Sequence, residues 1–470
     1  MYKPDSRFIH FAIRFSLIMR FYLRFQVMFF GVIFLTTSLC AQHSKNIFPL
    51  QIGKDKRYLM DNKRHPFLYH ADTAWMLFLN LNREETLEYL ITRKSQSFNV
   101  IQVILAGFAD FNGKTPINRY EQKPFLNNND FSSVNLKYFK HVEWVIRKAD
   151  SLGLALSIAP LWAGCCGEGW AGKGKAMELN KAEGNFKFGE FLGMYFGKYK
   201  NVQWILGGDN DPHTDKENYR QLALGIKKRA PKQLITYHAS SSHSSTDVWE
   251  KESWLDFIMV YTYFRGFNKA WNRNQPDVYE VSWKEYAKNP IKSFILGEST
   301  YEGEHGAWGS ALQVRKQAYW AMLGGATGHA YGSPLWTCDK NWKNYLNLPG
   351  ALSLQHFYKL FNSLQWEKLI PDTNKKVAVS GNGEFATNNY STTAISNDSS
   401  FSVSYLPSPR TLSIDLAQIR GRFLTAVWHD PISGNEFPEE QLLNHKIALF
   451  TPPPGNHDWV LVISENTKGN

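Results

Sequence analysis

The chain has 470 residues, of which 43% are hydrophobic and 15% aromatic, and it carries a formal net charge of +11. This composition excludes a disordered or fibrous protein, and the length allows two domains with a large buried core. No block of Lys and Arg stands out, so we expect no nucleic-acid partner.

Residues 1–41 are basic and then apolar, which is typical of a secretory signal peptide. Removing them takes away five Lys/Arg and one Asp and lowers the net charge to +7. That mild excess suits an acidic polysaccharide such as pectin. The sequence therefore predicts a secreted, periplasmic or cell-surface protein, with membrane attachment only if Cys40 is lipidated.

Between residues 42 and 366, short apolar stretches alternate with amphipathic ones, after a predicted hairpin over 48–60 that closes a barrel floor. This rhythm predicts a (β/α)8 TIM barrel with its site at the carboxyl ends of the strands. A doubly wound sheet is the rival, but it would place a glycine-rich phosphate loop after the first strand, where the sequence reads His70-Ala71-Asp72. The predicted strands are 66–72, 99–105, 154–160, 202–207, 233–238, 257–263, 293–298 and 326–331, and the predicted helices are 82–94, 136–152, 185–199, 216–229 and 311–323.

From residue 367 to residue 470 the pattern changes to alternating β-prone runs separated by Gly, Asn and Ser. This sequence pattern predicts a small antiparallel β-sandwich, and about a hundred residues is a common domain size. No long linker precedes it, so we expect it to pack on the barrel. The predicted strands are 394–396, 401–406, 411–416, 423–428 and 459–463.

Two predicted barrel strands end in glycine followed by a carboxylate. The fourth ends in Gly207-Gly208-Asp209 and the seventh in Gly297-Glu298. In a barrel these ends face each other across the mouth, and a pair of carboxyl groups is what glycoside hydrolysis requires. We assign Asp209 as general acid/base and Glu298 as nucleophile, with Asp211 and Glu302 as the nearest substitutes. The alternative is that each acid caps the helix after its strand.

Other polar and aromatic residues near strand ends are candidates for substrate binding. Asp72 with Trp75 would bind a hydroxyl and stack on a ring, or would be a helix cap and a core side chain. Tyr261 and Tyr263 are placed to hydrogen-bond a nucleophilic carboxylate. The full candidate set is Asp72, Trp75, Gln102, Trp162, His238, Tyr261, Tyr263, Tyr331 and Trp336, with His329 also considered at the mouth.

Several of these motifs, taken in order, resemble glycoside hydrolase family 140, the apiosidase-like family. The resemblance implies a barrel followed by a β-sandwich labelled a collagen-binding domain. It also implies exo-cleavage of apiose from pectic side chains, with Asp209 and Glu298 as the catalytic pair and no cofactor. Ser299 occupies a position where a proline is expected. This departure leaves the identity of the released sugar open. The motifs are Asp72-Thr73-Ala74-Trp75, Asn99-Val100-Ile101-Gln102, Trp204-Ile205-Leu206-Gly207-Gly208-Asp209, Gly297-Glu298 and Tyr301-Glu302-Gly303.

Two other functions remain open. A metal-dependent barrel hydrolase would use His70, Asp72, His238 and His329, although the usual His-x-His after the first strand is absent. A non-catalytic carbohydrate- or matrix-binding surface protein would use the C-terminal domain on glycan or collagen.

The cysteines show no zinc-ligand spacing. Cys338 has a possible disulfide partner in Cys165 or Cys166 in an exported chain. The glycine-rich loop 164–174 lacks the Gly-Lys-Ser/Thr end of a phosphate loop, so we interpret it as a mobile wall of the cleft.

Overall fold

The computed structural model describes residues 47–107, 116–164, 174–212, 214–266, 275–304, 306–439, 441–444 and 446–466. The predicted signal peptide with Cys40, and Cys165 and Cys166 with most of their loop, lie outside the described residues. Cys338 is buried as a free thiol. Within the described ranges, no helix is both long enough and apolar enough to cross a bilayer.

Eight parallel strands form a nearly closed barrel, which confirms the predicted fold. In chain order they are Tyr69–Thr73, Val100–Ile104, Ala155–Ala159, Val202–Gly207, Ile235–His238, Ile258–Tyr261, Phe294–Glu298 and Gly328–Tyr331, here called barrel strands one to eight. The ladder runs five-four-three-two-one-eight-seven-six, and a short strand, His243–Ser244, pairs antiparallel with strand six. Asp256, just before strand six, donates its backbone N–H to the Ile235 carbonyl on strand five at 2.9 Å. All residues of these eight strands are buried, as expected for a parallel sheet covered on both faces.

A helix follows each barrel strand. The first begins at Asn82, whose side chain accepts from the Glu85 N–H at 2.8 Å while Glu85 accepts from the Asn82 N–H at 2.9 Å, a capping box. The fifth, sixth and eighth helices were not predicted from the sequence. In chain order the helices are Arg83–Ser95, Leu136–Ser151, Gly174–Phe196 with a kink at Lys181, Lys216–Arg229, Ser245–Val248, Val278–Tyr286, Ala311–Leu323 and Pro349–Ser363, with a short Leu77–Asn80 before the first.

The barrel floor is closed by the predicted hairpin of Gln51–Ile52 and Leu59–Met60. Leu59 and Phe48 pack in one apolar cluster with interior side chains of the barrel strands. The predicted role of this N-terminal segment is therefore confirmed.

Two antiparallel sheets follow the barrel and enclose a separate apolar core, which confirms the predicted sandwich. Trp428 and Trp459 are the largest side chains in that core, and both are almost fully buried. One sheet contains Leu369–Pro371, Thr392–Ser396, Phe401–Leu406, Phe423–His429, Glu436–Pro438, Leu442–Leu443 and Trp459–Glu465, and the other contains Ala378–Ser380, Leu412–Asp415 and Ile447–Phe450.

The sandwich packs on the seventh helix of the barrel, Ala311–Leu323. Arg315 on that helix donates from Nη2 to Asp458 Oδ1 at 2.7 Å and from Nε to Asp458 Oδ2 at 2.9 Å. Tyr319, one turn further, stacks on Tyr405 of the sandwich with ring centroids 4.6 Å apart. A buried bidentate ion pair and an aromatic stack therefore join the two parts.

Candidate active site

The turn after barrel strand four presents Asp209 at the barrel mouth. Gly207, Gly208 and Asp209 all have positive φ, at 84°, 118° and 50°. A Cβ on Gly207 would lie 2.5 Å from the His238 carbonyl oxygen, and one on Gly208 would lie 2.4 Å from the Trp162 ring. Only glycine fits both positions, and the strained φ of Asp209 is of the kind that collects at functional sites.

Glu298 reaches the mouth from the last residue of barrel strand seven. The pairing of this strand with strand six changes register between Leu296 and Glu298. Such an irregularity redirects the side chain that follows it. Neither acid caps a helix, since the helices after strands four and seven begin after Asp215 and Ser310.

His238, at the end of barrel strand five, connects the two acids. Its Nε2 lies 2.6 Å from Glu298 Oε2, and its Nδ1 lies 3.8 Å from Asp209 Oδ1. One ligand atom from each of the three side chains lies within 4.8 Å of the other two. The side chain of His238 is fully buried, whereas those of Asp209 and Glu298 are 24% and 10% exposed. The structure therefore brings the two predicted acids together in one pocket.

The surroundings of Asp209 favour its protonated form. Burial, followed by the negative charge of Glu298, raises the pKa of Asp209 to about 7, although His238 acts in the opposite direction. Its Oδ1 has no hydrogen-bond partner among the described residues. Asp209 can thus hold a proton near neutral pH.

The surroundings of His238 favour its protonated form as well. Burial works to lower the pKa of His238, but the hydrogen bond to Glu298 and the charges of Glu298 and Asp209 outweigh it and raise the pKa. A protonated His238 donates from Nε2 to Glu298 and from Nδ1 to the Ala239 carbonyl, 3.0 Å away. His238 thereby holds one oxygen of Glu298 in a short hydrogen bond.

The pocket wall is formed by aromatic side chains that were predicted from the sequence as candidates for substrate binding. The rings of Trp162 and Tyr261 each lie 5.0 Å from the His238 ring, and Trp75 lies 4.9 Å from Trp162. The Tyr261 hydroxyl donates to the Tyr263 hydroxyl at 2.9 Å. Trp75 and Trp162 are each only 3% exposed, so they form the lower wall and present little ring surface to a sugar.

Three predicted contacts are corrected by the structure. Asp72 points outward from barrel strand one, is fully buried, and accepts from Arg93 Nε at 2.8 Å. Tyr331, paired in register with Asp72, also points outward and donates to Glu302 Oε2 at 2.6 Å. Gln102 is fully buried inside the barrel, 3.4 Å from Thr73 Oγ1. Successive residues of a strand face opposite sides, so strand-end position alone did not show which side each faced.

The two substitutes for the catalytic acids have other partners. Asp211 accepts from Ser240 Oγ at 2.6 Å and lies 2.5 Å from His243 Nδ1, beside a cavity of about 330 Å³. Burial acts to raise the pKa of Asp211, but the hydrogen bonds from His243 and Ser240 outweigh it and lower the pKa. Glu302 is buried and accepts from the Gly350 N–H at 2.7 Å. Asp211 is therefore a poor proton donor at neutral pH.

The four residues of the metal hypothesis do not converge. His70 Nδ1 lies 3.1 Å from His329 Nε2, and the His70 ring stacks on Phe98 at 4.3 Å, in the layer between barrel and helices. Asp209, His238 and Glu298 form a closer group, but the 2.6 Å bond between His238 and Glu298 would have to break for both to bind one ion at about 2 Å. The residues fit a hydrogen-bonded acid pair better than a metal centre.

Two residues of the pocket were not predicted as contacts. The Trp75 indole N–H donates to the Tyr301 hydroxyl at 3.0 Å, and the Trp336 indole N–H donates to Glu304 Oε1 at 2.5 Å. Both partners lie in the segment directly after barrel strand seven. Tyr301, Glu302 and Glu304 follow Glu298 closely in the sequence. This run of polar residues after strand seven could have indicated Tyr301 and Glu304 as pocket residues.

Comparison with protein-family models gives two matches. The model described as "Apiosidase-like, catalytic domain" matches residues 53–368. The model described as "Putative collagen-binding domain of a collagenase" matches residues 371–464. No curated protein matches the chain.

Solved structures share the fold over nearly the whole chain. A glycoside hydrolase family 5 structure from Bacteroides vulgatus ATCC 8482 is 23% identical with a TM-score of 0.78, covering 90% of this chain and 95% of that one. A second structure, described as a glycoside hydrolase, is also 23% identical with a TM-score of 0.78, covering 91% of this chain and 100% of that one. At this identity the likeness establishes the common fold.

Proposed function

The chain belongs to the apiosidase-like catalytic domain family and is a glycoside hydrolase, and on that premise we propose that Asp209 is its general acid/base and Glu298 its nucleophile. The observation that carries the proposal is the pair of carboxyl groups at the ends of barrel strands four and seven, with His238 between them. One oxygen of each carboxyl group and one ring nitrogen of His238 all lie within 4.8 Å of one another. The surroundings of Asp209 raise its pKa to about 7, which allows it to hold the proton that a general acid must donate.

In the proposed reaction Glu298 attacks the anomeric carbon while Asp209 transfers its proton to the leaving oxygen. The bond between the anomeric carbon and that oxygen breaks, and a glycosyl ester forms on Glu298. Asp209, now ionised, takes a proton from water, which attacks the ester and releases the sugar and the Glu298 carboxylate. Retaining enzymes hold their carboxyl groups about 5 Å apart and inverting enzymes wider, so the observed proximity predicts retention.

For the substrate we propose apiose at the end of a pectic side chain, as in glycoside hydrolase family 140. The family description and the sequence motifs support this choice, and the mild positive charge suits an acidic polymer. The basic and apolar start of the sequence supports export to the periplasm, the cell surface or the medium.

The test measures sugar release from a panel of pectic and hemicellulosic oligosaccharides, with identification of the monosaccharide freed. Asp209→Asn is expected to lower kcat/KM by about 10²- to 10⁴-fold, the usual contribution of a general acid. Glu298→Gln is expected to lower it at least as much, while Glu84→Gln on the exposed first helix serves as the matched control. Unchanged release by both active-site variants would contradict the proposal. Loss of activity with a chelator would favour the metal hypothesis instead.

A further inference from the structure

The turn that carries Asp209 holds this residue in a backbone conformation that needs support from its neighbours. The φ of Asp209 is 50°, in the left-handed region that side chains disfavour. Such a conformation persists only where the surrounding structure fixes it. Before the acid, the Gly208 N–H donates to the His238 carbonyl at 2.9 Å. The contacts that hold the chain after the acid therefore decide whether the turn keeps its shape.

Asp211 binds this turn to the loop after barrel strand five. Its Oδ1 accepts from the Ser240 N–H at 2.9 Å. Its Oδ2 accepts from Ser240 Oγ at 2.6 Å and lies 2.5 Å from His243 Nδ1. Hydrogen bonds to an ionised carboxylate are stronger than those between neutral groups, and this side chain is only 23% exposed. Asp211 is therefore a firm link between the two loops.

A second contact holds the residue between the two aspartates. The Tyr237 hydroxyl donates to the Asn210 carbonyl oxygen at 2.9 Å. Tyr237 lies on barrel strand five and is fully buried, so it offers a rigid attachment. Pro212 follows Asp211 and restricts that residue to an extended backbone. The chain after Asp209 is thus attached to the same strand and loop that carry His238.

We propose that Asp211 is a positioning residue for the general acid: its link to the loop after barrel strand five keeps Asp209 in the conformation that directs its carboxyl group towards Glu298. The inference rests on the proposed function of Asp209. Without the link, the turn is free to relax towards a negative φ, which moves the acid away from the pocket. A misplacement of about 1 Å is enough to cost about 100-fold in rate.

The test compares leaving groups, because a poor leaving group needs a proton from the acid whereas 2,4-dinitrophenolate leaves without one. The full chain is assayed on phenyl and 2,4-dinitrophenyl glycosides of the sugar that it releases from the oligosaccharide panel. Asp211→Ala is expected to lower kcat/KM about 10- to 100-fold for the phenyl glycoside and by less than about threefold for the dinitrophenyl glycoside. Asp211→Asn keeps an acceptor for the Ser240 N–H, so its loss on the phenyl glycoside should be smaller.

The matched control is Asp430→Ala in the sandwich. Asp430 accepts from the Ile432 N–H at 2.8 Å and from Ser433 Oγ at 2.6 Å, and its Oδ1 lies 3.9 Å from His457 Nδ1. Its partners are of the same three types as those of Asp211, but they lie in the other domain. We expect this variant to cleave both glycosides as wild type does.

Two results would overturn the inference: Asp211→Ala within about twofold of wild type on the phenyl glycoside, or an equal loss on both glycosides. If Asp211→Ala does not fold, Asp211→Asn takes its place, and its loss must again be larger on the phenyl glycoside. If wild type cleaves no glycoside, the proposed function fails, and crystal structures of wild type and Asp211→Ala test the positioning separately. A shift of the Asp209 carboxyl group by at least about 1 Å would support the inference, and an unmoved Asp209 would end it.

Discussion

Asp209 and Glu298 are both carboxyl groups at strand ends, yet their neighbours give them different chemistry. Glu298 shares a short hydrogen bond with His238, whereas Asp209 Oδ1 is buried without one among the described residues. The sequence could predict the two acids because glycine-then-carboxylate after an apolar strand is a local signal. The sequence could not predict the 2.6 Å contact between His238 and Glu298, because that contact depends on where strand five ends relative to strand seven.

The raised pKa of Asp209 predicts the alkaline side of the pH profile. The proposed acid must be protonated, so kcat/KM should fall as pH rises through about 7, where Asp209 loses its proton. The measurement is kcat/KM from pH 4 to 9 on any cleaved glycoside. Asp211→Asn is the control. Its kcat/KM should fall with pH in the same way as that of wild type, because hydrogen bonds lower the pKa of Asp211. A flat profile between pH 6 and 9 would contradict the assignment.

The same shift predicts a pH-dependent gain in stability for Asp209→Asn. The folded pKa of Asp209 is raised from 3.8 to about 7, so its contribution is complete below pH 4 and is lost as pH rises through 7. Asparagine does not ionise and avoids that loss. Relative to wild type, the free energy of unfolding of the variant should be about 4 kcal/mol higher at pH 8 than at pH 4, since the pKa is raised from 3.8 to about 7 and each pKa unit is worth about 1.4 kcal/mol. Denaturant titrations at pH 4 and pH 8 check this, and an equal difference at both would count against it.

At the scale of elements, the apolar rhythm predicted all eight barrel strands but not the direction of their side chains. Every residue of barrel strand one is buried, so no polar alternation marks its inner face. Asp72 and Tyr331 were assigned to the wrong side for this reason. The eighth helix was missed because Pro349-Gly350 is typical of a turn, whereas tertiary packing of Phe357 and Phe361 favours the helix.

The turn after strand four predicts a specific effect of Gly208→Ala. Its φ of 118° is unfavourable for alanine, and the added Cβ would lie 2.4 Å from Trp162. We expect a loss of about 1–3 kcal/mol in unfolding free energy and a clear loss of activity, because Asp209 would shift. Gly421→Ala is the matched control, with φ of 109° and a flexible Glu465 as nearest neighbour. Similar activity in both variants would show that this turn does not position the acid.

At the scale of the whole molecule, the sandwich and the barrel are joined by buried polar contacts. The side chains of Arg315 and Asp458 are 6% and 0% exposed. Tyr405 also donates to Asp458 at 2.9 Å. The absence of a linker predicted packing, but the residues responsible are 143 positions apart and carry no local signal.

Breaking this pair should destabilise the whole protein. Arg315→Ala would leave Asp458 buried without its ionic partner, which typically costs about 3–5 kcal/mol. Arg420→Ala is the control, since its pair with Glu465 is exposed on the arginine side and should be worth under about 1 kcal/mol. Urea titrations compare the two variants. Equal, small effects would mean that the pair does not hold the sandwich to the barrel.

The most direct measurement is cleavage of an activated aryl glycoside by Glu298→Ala, with and without sodium azide. Without azide we expect kcat to fall by at least about 10⁴-fold, as for removal of a nucleophile that acts in concert with its partners. With azide, which can enter the space of the lost carboxylate, we expect partial recovery and a glycosyl azide of inverted anomeric configuration. Activity within tenfold of wild type without azide would contradict the assignment of Glu298.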